Sequence, residues 1–555
     1  LKRHRSVDPP RYLPGPAAMG KPAEEPEAPA PLPDAPAGGL DVPETRPLSA
    51  EEAFPGEGSL TDDERNRWLI LHFALPRTIM TMDAAEGRST EAELNDVLTE
   101  MAWGTIDGQT REWTLECEEP QLERAHESQI SYAEFVARCH PTDSSADDAT
   151  REENAILAGQ KRAAFTHQGE PGAKFRPMFD SMVKALAHST KPLMKAYDIR
   201  KAILNEEELP EDPNRSDSHN IMRFGRHQIL PSFWQLLVTL TKKKRRFSVV
   251  FRTFNWDQLA TVQHELGLFC EGKHPAYDGK NKTQKPPLMD GQKGSRDMRL
   301  TQANVGNCDR FRGCLEFNER SSEPPKEEGA EPTEPTGEPT DDVAKAFKPT
   351  VYGFPPYHEA YAGLQHQILD GANTAAILDD MHYWNAKDRQ ATAGKLLLVD
   401  HGGGVAETEV QHVFFDGSMK SGDAHCVDVR EAVSGEPIPY KDTEGLFLHR
   451  VNPYEAVTDA DYFVKALDSC EVRMSRRILE SRKVTEAAAT AAKEVAAAEA
   501  AEEKLSPKEW LYQNIIPALL PALEAAQRDR PVDPIEFIAF YMLRHSKQYS
   551  KTLKS

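Results

Sequence analysis

Two long stretches rich in proline limit which parts of this chain can fold. Residues 1–58 combine Pro, Ala and Glu with almost no aromatic or β-branched side chains, and residues 321–344 repeat an acidic version of this composition. Such segments cannot bury enough apolar area to offset the entropy lost on ordering, so we predict that both are disordered. The 41 prolines and the low hydrophobic fraction of 39% agree with separate cores joined by linkers.

The charge and the cysteines exclude several classes of protein. A formal net charge of −22 repels phosphate backbones and disfavours nucleic-acid binding. The 7 cysteines include no Cys-x-x-Cys pair, so we predict neither a disulfide framework nor a zinc site. No apolar run approaches the ~20 residues that cross a bilayer. We therefore expect an intracellular protein that needs no metal, cofactor, membrane or nucleic acid.

Short apolar runs recur in residues 59–320 and 345–483. Runs of this length, separated by helical or loop segments, are typical of buried parallel strands. They predict an α/β, Rossmann-like body with large insertions. The runs are WLILHF (68–73), FSVVF (247–251), KLLLV (395–399), HVFF (412–415), CVDV (426–429) and LFLHRV (446–451).

Residues 484–505 consist almost entirely of Ala, Glu and Lys. These are strong helix formers, and neither Gly nor Pro interrupts them. Because the segment lacks a stripe of large apolar residues, we predict an exposed helical spacer and not a coiled coil.

Residues 506–549, here called the C-terminal module, have the pattern of a helical hairpin. Ser506 is a good N-cap, Pro507 suits the first helical position, and Glu509 completes a capping box. The same arrangement recurs over residues 533–536, which follow a break in the chain. The pattern predicts two helices joined by a tight turn.

The hairpin is too small to form a stable core alone. Two copies packed face to face would make a four-helix bundle with a groove for an amphipathic partner helix. The alternative is a hairpin that folds back onto the body. The residues predicted to form the dimer and the groove are Leu511, Ile515, Ile516, Leu519, Leu520, Leu523, Pro534, Ile535, Phe537, Ile538, Tyr541 and Leu543.

The module closely resembles the dumpy-30 (Dpy-30) motif family, which includes the docking-dimerisation domain of protein kinase A regulatory subunits. The resemblance lies in residues 515–520, Arg530-Pro531 and residues 533–539. Family members occur in ciliary axonemal complexes and in nuclear histone-methyltransferase complexes. The resemblance implies a homodimer that binds a partner helix and catalyses nothing. Pro521 departs from the pattern, and we expect it to kink the first helix.

The body resembles the haloacid dehalogenase-like fold. In that family an apolar strand ends in Asp-x-Asp-x-Thr, where the first Asp is the nucleophile, the second is the acid/base, and both cluster with Mg²⁺. Here the strand WLILHF is followed by residues 74–78, in which Ala74 and Pro76 replace the acids and Thr78 is retained. The resemblance therefore implies a pseudoenzyme that lacks its nucleophile.

Other positions suggest the remnant of a phosphate pocket. The resemblance would make Thr253 a phosphate-binding hydroxyl, and Lys395 the charge-balancing lysine, with Lys387 as a competitor. It would make Asp416 a metal ligand, with Gly417 where a second acid often stands. The alternative is that Thr253 and Lys395 only end and begin strands.

These features give three functional hypotheses. The leading one is a non-catalytic adaptor of a ciliary or flagellar axonemal complex, of radial-spoke type. The second is a nuclear adaptor of a histone-methyltransferase complex, with the basic run 242–246 as an import signal, although this run also directly precedes a strand. The third is an active phosphatase with a relocated acid, such as Asp83 or Asp416. In the resemblance to the haloacid dehalogenase-like fold, the insertion at 80–246 occupies the place of that family's cap domain.

Overall fold

The structure is a computed structural model whose described residues all belong to the unit Leu60–Ser555. The segments 1–58 and 321–344, predicted to be disordered, lie outside the described residues, as does Asp83. No described helix is long and apolar enough to cross a membrane. The structure describes residues 67–80, 89–142, 147–187, 203–204, 225–277, 279, 285–318, 349–369, 373–400, 410–503 and 506–552.

The described chain is a mixed α/β body followed by a mostly helical C-terminal region. The strands are β1 (Trp68–Ala74), β2 (Trp103–Ile106), β3 (Trp113–Leu115), β4 (Ile130–Ser131), β5 (Phe247–Thr253), β6 (Val305–Asp309), β7 (Cys314–Asn318), β8 (Pro349–Gly353), β9 (Thr374–Asp379), β10 (Lys395–Val399), β11 (Val410–Asp416), β12 (Val427–Glu431) and β13 (Leu448–Arg450). The helices are α1 (Thr90–Met101), α2 (Tyr132–Cys139), α3 (Asp148–Ala163), α4 (Arg176–Leu186), α5 (Pro231–Lys242), α6 (Trp256–Cys270), α7 (Tyr357–Gln367), α8 (Met381–Ala386), α9 (Tyr440–Thr443), α10 (Pro453–Thr458), α11 (Tyr462–Glu503), α12 (Pro507–Asn514), α13 (Ile516–Asp529) and α14 (Pro534–Thr552).

An eight-stranded sheet organises the body, in the order β13-β11-β1-β5-β9-β6-β7-β8. The strands from β13 to β6 run parallel, and β7 and β8 add an antiparallel edge. Leu71 of β1 pairs with Val413 of β11 and with Val249 of β5, so β1 is an interior strand. Such a strand is covered on both faces and therefore appears in the sequence as a continuous apolar run.

The predicted apolar runs all form strands, but two of them lie outside the large sheet. The runs at 395–399 and 426–429 form β10 and β12, which pair parallel in a sheet of their own. Leu397 and Val399 join one apolar cluster, while Leu396 and Leu398 join another. Both faces of β10 are buried, so its sequence is a continuous apolar run. Such a run indicates a buried strand but does not identify the strand with which it pairs.

The first insertion contains a small sheet with helices around it, whose fold the sequence did not predict. Its strands form an antiparallel sheet in the order β3-β2-β4, and helices α1 to α4 accompany them. Trp113 and Phe165 both lie against Tyr132, with ring centroids 5.0 and 4.7 Å away. These rings form the aromatic centre of the insertion.

Helix α11 is continuous with the predicted spacer. It runs for 42 residues from Tyr462, and its first part buries Phe463, Leu467 and Cys470 in the body. From residue 482 to residue 496 every described side chain is exposed. Residues 484–503 of the predicted spacer are therefore the distal part of a body helix and do not begin a separate element.

The first helix of the C-terminal module is divided, which corrects the prediction of a single helix kinked at Pro521. Helix α12 ends at Asn514 and α13 begins at Ile516, while Pro521 lies inside α13. The break fits Pro517, which lacks an N–H and whose ring would clash with the carbonyl four residues earlier in a continuous helix. The module therefore contains three helices.

The predicted caps of the module are present. The Ser506 N–H donates to Glu509 at 3.0 Å, and the Glu509 N–H donates to the Ser506 hydroxyl at 3.3 Å, which completes the capping box. Asp533 accepts from the backbone N–H groups of Ile535 and Glu536, each at 3.0 Å. Both bonds satisfy donors that have no partner inside a helix.

Candidate functional site

The carboxyl edge of the large sheet brings together the positions singled out in the body. Strands β5, β1 and β11 are parallel neighbours, so Thr253, Ala74 and Asp416 at their ends meet at one edge. Lys395, at the start of β10, places its Nζ 3.0 Å from Oδ2 of Asp416. Lys387 is exposed and lies over the Tyr383 ring, so Lys395 is the lysine at this edge.

Asp416 is fully engaged by the body. Its Oδ1 accepts the Ser418 N–H at 2.7 Å, and its Oδ2 receives the Cys426 thiol at 3.3 Å as well as Lys395. Burial alone would raise the pKa of Asp416, but Lys395 and the Ser418 N–H hold it below its ordinary value. Burial likewise opposes the charge of Lys395, yet Asp416 raises its pKa. Both groups are therefore charged and paired.

These residues do not fit a Mg²⁺ ion. Mg²⁺ binds through carboxylates in near-octahedral geometry, and positions 74, 76 and 417, where the resemblance would expect acids, hold Ala, Pro and Gly and give Asp416 no second carboxylate. Its charge is already balanced by Lys395. Within the described residues, no group of three His, Cys, Asp or Glu side chains could hold a metal ion.

The loop after β1 closes over the edge. The Gly417 N–H donates to Thr78 Oγ1 at 2.9 Å, so this threonine holds the β11 loop. A Cβ at Gly417 would lie 2.1 Å from the Arg77 carbonyl oxygen, which excludes any side chain there. Arg77 has a left-handed backbone (φ 56°) and forms ion pairs with Asp96 and Glu100 of α1. The contact leaves no room for a second acid at position 417.

Thr253 also serves the local structure. Its hydroxyl accepts the Asn255 N–H at 3.0 Å and lies 2.9 Å from Gln258 Oε1. These contacts stabilise the turn from β5 into α6. Ala74 is buried beside Phe414 in an apolar cluster and offers only a methyl group. At this edge Thr253 and Ala74 therefore have the contacts of structural residues.

The sequence interpretation missed a second buried ion pair beside this edge. Arg252 Nε lies 3.0 Å from Asp379 Oδ2, and Nη1 donates to the Leu396 carbonyl at 3.0 Å. This pair ties β5 and β9 to β10. The signal was visible, because Arg252 and Asp379 are charged residues at the ends of otherwise apolar strands.

The C-terminal module shows the opposite pattern. Its buried apolar side chains are Ala518, Ala522 and Ala525, which share one face of α13 and allow α14 to approach closely. None of the residues predicted for the dimer and groove is buried in the single chain. Ile515, Ile516, Leu519, Phe537, Ile538 and Tyr541 are half-buried, and Leu511, Leu520, Leu523, Pro534, Ile535 and Leu543 are exposed.

Helix α13 thus has two apolar faces, of which only one is covered in the single chain. The alanine face packs within the hairpin, whereas Ile516, Leu520 and Leu523 lie at helical spacing on another side. On α14, Ile535 and Leu543 are likewise exposed, by 81% and 70%. Large apolar side chains exposed in such numbers are typical of a protein-interaction surface.

Residues 507–547 match the Dpy-30 motif. This is a dimerisation and partner-binding motif, so the module of this chain has an adaptor role. The uncovered leucine and isoleucine side chains of α13 and α14 lie within the Dpy-30 motif. No solved structure matches the chain, and the dehalogenase-like interpretation of its body stays a prediction.

Proposed function

We propose that this protein is a non-catalytic adaptor that dimerises through its Dpy-30 motif and docks to an axonemal complex of radial-spoke type. One observation carries the proposal: Leu520, Leu523, Ile535 and Leu543 are exposed in the single chain, on the segment that matches the motif. A second copy would cover part of this surface, and an amphipathic helix of the partner would cover the rest.

The proposal treats the α/β body as a pseudo-phosphatase that serves as cargo or as a second binding surface. Two observations support this view. Ala74 and Pro76 replace both acids, and the charge of Asp416 is already balanced by its ion pair with Lys395. A nucleophile needs an accessible, activated group. Among the described residues at the edge where the sequence placed the nucleophile, Ala74 and Pro76 offer no such group.

The setting rests on the resemblance, whose members occur in axonemes and in the nucleus. The basic run 242–246 would be the import signal of a nuclear adaptor, but part of it has structural partners. Arg245 pairs with the buried carboxylate of Glu471, and the Arg246 guanidinium lies 4.8 Å from the Trp68 ring centroid. An import receptor would have to release both contacts, which favours the axonemal setting.

The test is affinity capture of the tagged full chain from ciliated cells, beside the Leu519→Asp variant, with mass spectrometry. We expect axonemal spoke proteins with the wild type and their loss with Leu519→Asp. Val433→Asp is the matched control, since Val433 is 74% exposed on the body and far in sequence from the motif. Capture of methyltransferase subunits would instead place the adaptor in the nucleus, and equal capture by both baits would contradict docking through the motif.

A further inference from the structure

A groove in the first insertion has no role in the proposed function. Its volume is about 610 Å³, within the range of ligand and peptide sites. One wall is formed by consecutive residues 111–115, which include β3. The other is formed by Tyr132, Phe135, Val136 and Cys139, which recur at helical spacing on one face of α2.

The groove runs along the edge of a strand. Successive side chains of a strand point to opposite faces, so consecutive residues can line one groove only where it follows the strand edge. In the described sheet, β3 pairs with β2 on one side and with no strand on the other. Glu112 and Glu116 make backbone hydrogen bonds with Asp107 and Trp103. By alternation, the main-chain groups of Trp113 and Leu115 face away from β2.

The floor of the groove offers an aromatic surface with one polar group. Trp113 and Tyr132 are almost fully buried, and Phe135 is half-buried beside Tyr132, with ring centroids 6.0 Å apart. Among the described residues, the Tyr132 hydroxyl makes no hydrogen bond, and it is not one of the fully buried polar atoms that lack a partner. Burial, with a smaller effect of Glu170, raises the pKa of Tyr132 to about 12, so the hydroxyl remains a donor.

The rim carries an excess of positive charge. Arg111, Lys161 and Lys174 are exposed, and within the described part of the chain none of them forms an ion pair. Glu112 and Glu170 also line the groove but do not balance these cations. In a chain with a net charge of −22, a local excess of unpaired cations favours an acidic ligand.

We propose that this groove binds an extended acidic peptide of a partner protein, which adds a strand to the free edge of β3. The peptide main chain would bond to the outward groups of Trp113 and Leu115, and one of its apolar side chains would rest on Tyr132 and Phe135. Its carboxylates would approach Lys161 and Lys174. Strand addition of this kind takes affinity from the main chain and specificity from alternate side chains.

The experiment uses the full chain and a phage library of random peptides of about twelve residues. A synthetic peptide with the recovered consensus is then titrated by fluorescence anisotropy. We expect an apolar residue flanked by acidic ones, and binding at least tenfold weaker to Lys161→Glu/Lys174→Glu. Lys184→Glu, an exposed lysine of α4 that does not line the groove, is the control and should bind normally.

Hydrogen exchange on the same complex tests the geometry. The amides of Trp113 and Leu115 should gain protection when the peptide binds, which a ligand held only by its side chains would not produce. Peptides that bind the charge-reversed variant equally well would overturn the proposal. So would an unchanged exchange of these two amides, or the failure of the library to yield any consensus. Arg111→Glu is a second variant should the double change impair folding.

Discussion

The carboxyl edge of the large sheet and the Dpy-30 motif differ in whether their side chains have partners within the chain. At the sheet edge, Thr78, Thr253, Lys395 and Asp416 each bond to another part of the body. In the motif the alanines of α13 are buried, and the large apolar side chains are only half-buried or exposed. Polar groups that are satisfied internally hold a fold together, whereas apolar side chains that remain uncovered require a partner.

A charged residue at an expected position is weaker evidence of function than an apolar side chain left uncovered. Lys395 and Asp416 stand at the positions expected for remnants of catalysis. A buried lysine and a buried aspartate also pair for a structural reason, because an unpaired charge inside a protein is costly. Exposed leucines at helical spacing have no such structural explanation. Function in this chain is therefore better sought in the uncovered motif than at the sheet edge.

The largest expected effect comes from placing a charge in the dimer seam. Leu519→Asp or Ile538→Asp would bury a carboxylate against apolar side chains, at a cost of roughly 3–5 kcal/mol unless the helices separate. We expect a dimer for the wild type and a monomer for either variant, measured by size-exclusion chromatography with light scattering. A dimer of unchanged mass for both variants would show that another face forms the seam, and Val433→Asp should leave the mass unchanged.

Breaking the buried pair should destabilise the body and leave the dimer intact. Lys395→Met leaves the Asp416 charge buried and uncompensated, which costs about 3–5 kcal/mol. The double variant Lys395→Met/Asp416→Asn removes both charges and should recover about half of that loss. Urea unfolding of the wild type, the two single variants Lys395→Met and Asp416→Asn, and the double variant gives the free energies. Additive losses in the double variant would mean that the two groups do not act as a pair.

The stability of the body should also depend on pH through Glu265. Burial raises the pKa of Glu265 to about 8, and its Oε1 lies 3.1 Å from His274 Nε2. Between the ordinary value of 4.5 and about 8, the folded chain holds a proton that the unfolded chain has released. Stability therefore falls as pH rises through this window.

Glu265→Gln should remove this dependence. Between about pH 5 and pH 8, we expect the free energy of unfolding of the wild type to fall by ~2–4 kcal/mol relative to that of the variant. Urea unfolding at each pH measures both values. Glu509 of the Dpy-30 motif adds no such dependence, because its cap bond to Ser506 lowers its pKa. Parallel pH curves for the two proteins would show that Glu265 ionises normally.

Much of the fold followed from local pattern, because local pattern records burial. The runs 68–73 and 247–251 gave β1 and β5, and the capping box at Ser506 gave the start of α12. Pairing is a long-range property, so the sequence did not reveal that β10 leaves the large sheet for β12. The break at Ile515 was missed for another reason: Pro517 and Pro521 look equally disruptive, and only the former coincides with a helix end.

The candidate site likewise has features that the residue types reveal and others that depend on contacts between distant parts of the chain. The loss of the acids at Ala74 and Pro76 is visible in the residue types alone. The contact between Gly417 and the Arg77 carbonyl depends on two loops far apart in the chain, and no local signal predicts it. The Dpy-30 residues were found because apolar side chains repeat at helical spacing after a capping box and resemble the family motif. Their division between an alanine face and a leucine face depends on the packing of α14.

The smallest expected effect is in catalysis, where the comparison predicts none. With Mg²⁺ present, the purified chain should not hydrolyse p-nitrophenyl phosphate, and Asp416→Asn should not change the background rate. Ala74→Asp would restore a carboxylate at the nucleophile position, but Lys395 remains paired to Asp416 and the 77–78 loop still covers the edge, so we expect no turnover from it either. Hydrolysis that responds to Asp416→Asn would overturn this view, because it would make the sheet edge a working site and the Dpy-30 motif the anchor of an enzyme.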